Sequence, residues 1–274
     1  MNDIKISAVI TTYNAEQHIA ACLNALKGLA DEIIVVDSFS TDNTAKICRA
    51  HPFVFFIQRD WAGYAATKNY GNALAKHDYI LSIDADEVLS DTLRGNIMEE
   101  KMWLRGAYAF KRRNHIGDIA VLYCGWYPDE KVRLFPRKTA TWVGDYVQET
   151  LKTAEKIRTL EGDLLHYCFY DLDDMCRRFR KYAELDAVSV LKKTGKNVSP
   201  LKVYLKIIFK FLNIFVLKLG FLEGYLGYQI SMESASATAH KYCILEALRK
   251  QSKDPAFIPP QYFGAKKSVL ENIQ

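Results

Sequence analysis

Three short polar clusters each follow an apolar run early in the chain. Thr11-Thr12-Tyr13-Asn14 follows ISAVI, Asp37-Ser38 follows EIIVV, and Asp84-Ala85-Asp86-Glu87 follows YILSI. The third carries the clearest chemistry. Two carboxylates one residue apart offer hard oxygens to magnesium or manganese and leave coordination positions free for phosphate and water. That arrangement suits a reaction in which a diphosphate leaves. An Asp-x-Asp alone is a weak signal, because it recurs in turns and helix caps. Its place at a strand end, third in a series of polar strand ends, gives it weight.

The elements needed to hold these clusters are readable from periodicity. Lys5–Thr12, Glu32–Asp37, Phe53–Ile57 and Tyr79–Ile83 read as strands, the first of them buried on both faces. Helices are expected between them, one after Asn14 as cap with Ile19, Cys22, Leu23 and Leu26 inward, one over Thr41–Ala50, one over Gly63–Lys76. Asp42 reads as a cap for the second of these. Alternation at this spacing predicts right-handed βαβ units and a mainly parallel sheet, with ligands beyond the carboxyl ends of the strands. Further on, Ala107–Arg112, Lys131–Phe135, Trp142–Val147 and Leu160–Tyr167 read as shorter strands, and the chain from Asp171 as helices.

At 274 residues, 49% hydrophobic and 25% charged, the chain can form one catalytic domain with an appendage, or two small domains. The N-terminal apolar run reads as a first strand and not as a signal peptide. The six scattered cysteines read as reduced thiols, which places the protein in the cytoplasm. The net charge of +5 is unevenly spread, with eleven Lys or Arg against two acids between Arg177 and Lys218. Within that stretch, LKVYLKIIFKFLNIFVLKLGFL is very apolar yet too interrupted by lysine to span a bilayer. At about 100° per residue its lysines and Asn213 share one arc, as in a helix lying in an anionic membrane interface. Basic residues interleaved with aliphatic ones suit lipid better than nucleic acid.

The order SAVITTYNAE, EIIVVDSFSTDNT, TKNYGNALA and YILSIDADE resembles family 2 glycosyltransferases, the inverting group with the GT-A fold. CGWYPDEKVRLF, VQET, GDLLHY and VLKLGFLEG extend the resemblance to the lipopolysaccharide-core β-1,4-glucosyltransferase branch. The resemblance implies a GT-A catalytic domain over residues 1–168 and a helical, basic extension over residues 169–274. It implies a nucleotide-sugar donor, UDP-glucose first among candidates, a divalent Mn2+ or Mg2+ ion, and a glycolipid acceptor at the inner face of the cytoplasmic membrane.

Residue by residue, it puts Thr11, Tyr13, Asn14 and Glu16 in the nucleotide cradle and Asp37 against the base. Lys68 falls near the nucleotide, Asp84 near the ribose or diphosphate, and Asp86 on the metal, joined by His166. Glu149 is the expected general base, standing in a motif whose usual histidine is Gln148 here; Asp129 is the alternative. Trp126, Tyr127 and Arg133 fall where acceptors bind, although the two aromatics could equally be core. The QxxRW of processive synthases is missing, which favours single addition, and TTYNAE stands where a dinucleotide-binding GxGxxG would be required. Transfer to polyprenyl phosphate or a capsule intermediate is the rival activity, and an inactive nucleotide-sugar-binding protein the rival class.

Overall fold

The computed structural model describes residues 3–144, 149–194 and 199–251. It separates into two units, Met1–Asn114 with Pro128–Cys168, and His115–Tyr127 with Phe169–Gln274. A simple cut after residue 168 therefore has one exception, the excursion at residues 115–127.

Along the chain the elements run β1 (Ile6–Thr12), α1 (Ile19–Leu26), β2 (Glu32–Asp37), α2 (Thr44–Arg49), β3 (Val54–Gln58) and α3 (Tyr64–Leu74). They continue as β4 (Tyr79–Asp84), β5 (Glu87–Leu89), α4 (Asp91–Glu100), β6 (Ala107–Ile116), β7 (Ile119–Ala120), β8 (Asp129–Pro136), β9 (Ala140–Val143), β10 (Thr150–Thr153) and β11 (Ile157–Phe169). Helices α5 (Leu172–Thr194), α6 (Pro200–Leu212) and α7 (Tyr225–Gln251) complete the described chain.

The main sheet has the order β3-β2-β1-β4-β8-β6-β11-β5, with a separate β9–β10 pair. Strands β3, β2, β1 and β4 are parallel. The β4–β8, β8–β6 and β11–β5 pairings are antiparallel. Side chains of β1, β2 and β4 alternate and bury both faces, whereas the edge strand β3 is only partly covered, with Phe55 55% exposed. Ile6, Ala8 and Ile10 of β1 join a core with Ile19, Leu23 and Leu26 of α1, whereas Val9 joins a second core with Ala65, Phe135 and Trp142. Two-sided burial is why these strands read as continuous apolar runs. The mixed α/β class, the mainly parallel half and the inner face of α1 are as expected.

Several local expectations fail for physical reasons. Asn14 does not cap α1; it sits at φ 47° with its side-chain oxygen accepting from the Thr41 N–H at 2.8 Å, and the helix begins later, after His18. Helix α2 begins at Thr44, not Thr41. Asp42 Oδ1 accepts from the Thr44 N–H at 2.9 Å, so it does serve the start of that helix. The last residues of the expected strand Trp142–Val147, and Val147 and Gln148 of VQET, lie outside the described residues. Strand β5, only three residues long, was not foreseen because it is too short to show a period.

The second unit has its own core, with Ile116, Val121, Cys124, Met175, Ile214 and Ile230. Helix α6 passes through a π-helical turn at Asn213–Leu217 and a short 3-10 helix at Gly220–Glu223 before α7. A Cβ on Gly227 would overlap the Gly220 carbonyl, so α7 starts hard against this corner. No helix among the described residues is long and apolar enough to cross a membrane.

In the first unit α3 lies equally close to β1. A Cβ at Gly71 would collide with Val9 Cγ1 and stand 3.3 Å from Val36 Cγ2. Gly71→Ala should therefore lower unfolding free energy by about 1–3 kcal/mol despite its better helix propensity. Urea denaturation followed by far-UV circular dichroism checks this; an unchanged or raised midpoint would mean that α3 stands farther from the sheet.

Candidate functional site

Four parallel strands bring their carboxyl ends to one edge, and the loops there hold one another rigidly. The Asn14 N–H donates to Ser40 Oγ at 2.8 Å, and the Ala15 N–H donates to Thr44 Oγ1 at 2.7 Å. Glu16 Oε2 accepts from the Asn43 backbone and side chain, at 2.9 and 2.8 Å. Asn14 and Glu16, expected in a nucleotide cradle, thus spend their polar atoms joining the β1 loop to the start of α2. Tyr13 is half-buried. Asp37 is 0% exposed; Ser40 and Gln58 occupy both its oxygens, so it anchors the β2 loop from beneath.

The acidic cluster lies beyond β4, and each of its carboxylates has a different partner. Asp84 Oδ1 is 2.9 Å from Lys68 Nζ and accepts a long 3.5 Å bond from Thr11 Oγ1, and its Oδ2 is 2.7 Å from Arg133 Nη2. Burial opposes its charge, but Arg133 and Lys68 hold its carboxyl far below the usual carboxylate range. Glu87 is fully buried; it accepts from the Asp84 N–H at 3.0 Å and pairs with Arg133 and Arg112. Lys68, 1% exposed, also reaches Glu149 Oε1 at 2.8 Å and lies 4.6 Å from the centre of the Trp142 ring. One ammonium therefore joins the first aspartate of the cluster to the expected base.

Asp86 is the more open of the two aspartates, its side chain 37% exposed against 26% for Asp84. His166 Nε2 lies 3.4 Å from Asp86 Oδ2. The β5–β11 pairing, His166 opposite Glu87, brings the ring there. Nδ1 of His166 is 2.6 Å from Asn114 Oδ1, which fixes it as donor and leaves Nε2 facing Asp86. Burial would lower the pKa of His166, but the Asp86 carboxylate overrides it and pushes the pKa up to about 10. The Asp86–His166 donor set, one hard oxygen and one oriented imidazole nitrogen, fits a divalent ion that completes its shell with phosphate and water. Among the described residues no three His, Cys, Asp or Glu side chains form a ready-made metal site. Nearby, the His18 ring stacks on Tyr167 at 5.2 Å.

Four expected residues stand elsewhere. Arg133 does not await an acceptor; it is 3% exposed and committed to Asp84 and Glu87. A β-bulge puts it there. Tyr108 pairs with Leu134 and Ala109 with Val132, so Arg133 is the extra residue on β8 and its side chain is re-aimed toward the acids. Asp129 is gripped by Arg112, at 2.9 and 2.6 Å, and by Lys131 at 2.9 Å. Burial favours its protonation, but those cations hold its pKa below the ordinary value, which makes it a poor base. Trp126 and Tyr127 belong to the second unit, where the Trp126 ring packs 5.9 Å from Phe169 and 6.5 Å from Phe179, the core role rather than an exposed stacking platform. Glu87, Arg112 and Asn114 were not singled out for any role. Glu87 was visible as the last acid of the cluster, but nothing in the sequence marks Arg112 or Asn114.

Residues 7–102 match the family model described as Glycosyl transferase family 2. An uncharacterized glycosyltransferase of Rickettsia bellii is 30% identical over 264 residues, covering 90% of this chain and 87% of that protein. The lipopolysaccharide core biosynthesis glycosyltransferase LpsC of Rhizobium meliloti is 34% identical over 96 residues, 33% of this chain and 35% of that protein. Among solved structures, S. aureus TarS 1-349 in complex with UDP-GlcNAc aligns over 91% of this chain and 87% of that one, at 18% identity and a TM-score of 0.44.

Removing Arg133 would leave Asp84 and buried Glu87 short of compensating charge. Arg133→Met should cost about 3–5 kcal/mol of stability at neutral pH, the scale for breaking one partner out of a buried ion pair. Chemical denaturation measures it; a loss below 1 kcal/mol would show that Lys68 and Arg112 suffice.

Proposed function

The chain belongs to the glycosyltransferases, with a family 2 domain at residues 7–102, and from that premise we propose an inverting transfer of a hexose, glucose from UDP-glucose first, onto a lipopolysaccharide-core or related membrane glycolipid in a single addition. The observation that carries this reading is Lys68, bonded at once to Asp84 and Glu149. It brings the donor-side carboxylate and the candidate base into one site.

In this reading the acceptor hydroxyl oxygen attacks the anomeric carbon from the face opposite the leaving group, and its proton passes to a Glu149 oxygen. The bond from the anomeric carbon to the diphosphate oxygen breaks, and its electron pair stays on the nucleoside diphosphate. Asp86 and His166 would hold a divalent ion, which when bound supplies positive charge to the departing diphosphate. Lys68 adds a fixed cation beside them and holds Glu149 in place until the acceptor arrives. The laced β1 and β2 loops support a preorganised nucleotide site, with Thr11 and Tyr13 nearest the strand end. Asp37 acts there by holding Ser40 and Gln58; it reaches a base only by sharing an oxygen. The acceptor class draws on the resemblance of CGWYPDEKVRLF and GDLLHY to the lipopolysaccharide-core branch and places the enzyme at the inner face of the cytoplasmic membrane.

Calorimetric titration of UDP and GDP, with manganese and then with chelator, tests the donor half. Manganese-dependent UDP binding that is lost in Asp86→Ala is the expected result; binding unchanged in that variant would remove Asp86 from the metal. Glu149→Gln should keep UDP affinity and slow transfer by about 10²–10⁴-fold, the range for a lost general base. An active variant would move the base elsewhere.

A further inference from the structure

Helix α6 carries three stripes. Val203, Ile207 and Phe211 are half-buried, whereas Leu201, Leu205, Ile208 and Leu212, within about 60° of one another at 100° per residue, are exposed. Lys202, Lys206 and Lys210 form the third stripe beside the exposed apolar one. None of the residues of α6 is buried. Past half-buried Asn213 and buried Ile214, the corner that follows is again apolar and exposed. There Leu217 is 69% exposed, and Leu219, Phe221 and Leu222 also face solvent, as does Tyr225, 70% exposed, at the start of α7.

The corner is built to hold that shape. Leu219 takes a left-handed conformation at φ 56°, and Gly220 allows the chain to turn against the Ile214 carbonyl. The 115–127 excursion of the same unit is fastened to it: the Leu122 and Tyr123 N–H groups donate to Glu223 Oε1 at 2.6 and 2.8 Å, and the Cys124 N–H donates to the Lys218 carbonyl at 3.0 Å. Leu122 and Tyr123 are themselves exposed, which widens the apolar surface. A rigid corner presenting leucine and phenylalanine outward is unlike a frayed helix end.

Charge selects the partner. From Ala187 to Leu222 the sequence holds seven lysines and no acid. Among the described residues, neither Lys210 nor Lys218 ends in an ion pair, and Lys210 has Lys218 and Lys241 as its charged neighbours. A second copy on this face would bring lysine stripe against lysine stripe. A leaflet of anionic lipid offers hydrocarbon to the leucines and phosphates to the ammonium groups.

We propose that the exposed stripe of α6 and the 217–225 corner dip into the surface of an anionic phospholipid bilayer, with Lys202, Lys210 and Lys218 at the level of the head-group phosphates. The proposal deepens the membrane-held acceptor reading by naming the surface and the lipid charge, and it stands on the second unit alone.

Flotation of the full-length protein with vesicles tests it, using phosphatidylcholine alone against an equimolar mixture with phosphatidylglycerol. The mixed vesicles should capture the protein, and added salt should weaken capture. Lys210→Gln and Lys218→Gln should each reduce affinity about fivefold, and Leu217→Ser with Phe221→Ser should abolish capture. UDP binding by the same variants, measured in parallel, reports folding and the donor site independently, so failure of the donor reading would be seen separately. Equal capture by neutral vesicles, or capture untouched by all the substitutions, would overturn the proposal. So would a dimer in sedimentation that the Leu217 and Phe221 changes dissolve, because a second copy would then cover the face.

Discussion

Everything at the open edge of the sheet depends on how Asp84 and Glu87 are neutralised. Asp84 ends a strand whose other residues are buried, Glu87 opens the next strand three positions on, and Glu87 has no exposure at all. An unpaired carboxylate in such a place is costly. Lys68 from α3, Arg112 from β6 and Arg133 from β8 therefore converge from three elements on one strand end. With those charges balanced, Asp86 is left as the carboxylate that faces outward. The two aspartates of the motif thus differ in surroundings: Asp84 is held between Lys68 and Arg133, and Asp86 has the His166 ring as its neighbour.

This difference explains which parts were legible in the sequence. Strands β1, β2 and β4 could be read because burial on both faces leaves unbroken apolar runs. The acids could be read because strand ends expose whatever follows those runs. The role of Arg133 could not be read, because a bulge sets it, and a single extra residue leaves no trace in an alternating pattern. Asn14 misled for a related reason. Its residue type suits a helix cap, but the same side chain serves equally well to receive a backbone N–H from the neighbouring loop in a left-handed turn. His166 and Glu149 were named through family resemblance, and periodicity alone would have passed over both.

The second unit shows the opposite balance. Its helical content was plain from composition and spacing, and the lysine arc of α6 was plain from the helical period. What the sequence left open was the direction of the apolar face. Packing takes up only the Val203–Ile207–Phe211 stripe, because the helix touches its own unit along one narrow side. Hydrophobicity measures the wish to leave water, and it does not say whether protein or lipid satisfies it.

The bulge at Arg133 also bears on how this protein can change over evolutionary time. Side chains on a strand alternate between faces, so adding or removing one residue between the bulge and Pro136 would exchange the inward and outward sets. Leu134 and Phe135 would trade sides of the sheet, and each belongs to a different core. Point substitutions along β8 can accumulate one at a time, but length changes there have almost no viable intermediate. The turns at hairpin ends carry no such restriction, so variation in chain length among descendants should collect there while β8 keeps its count.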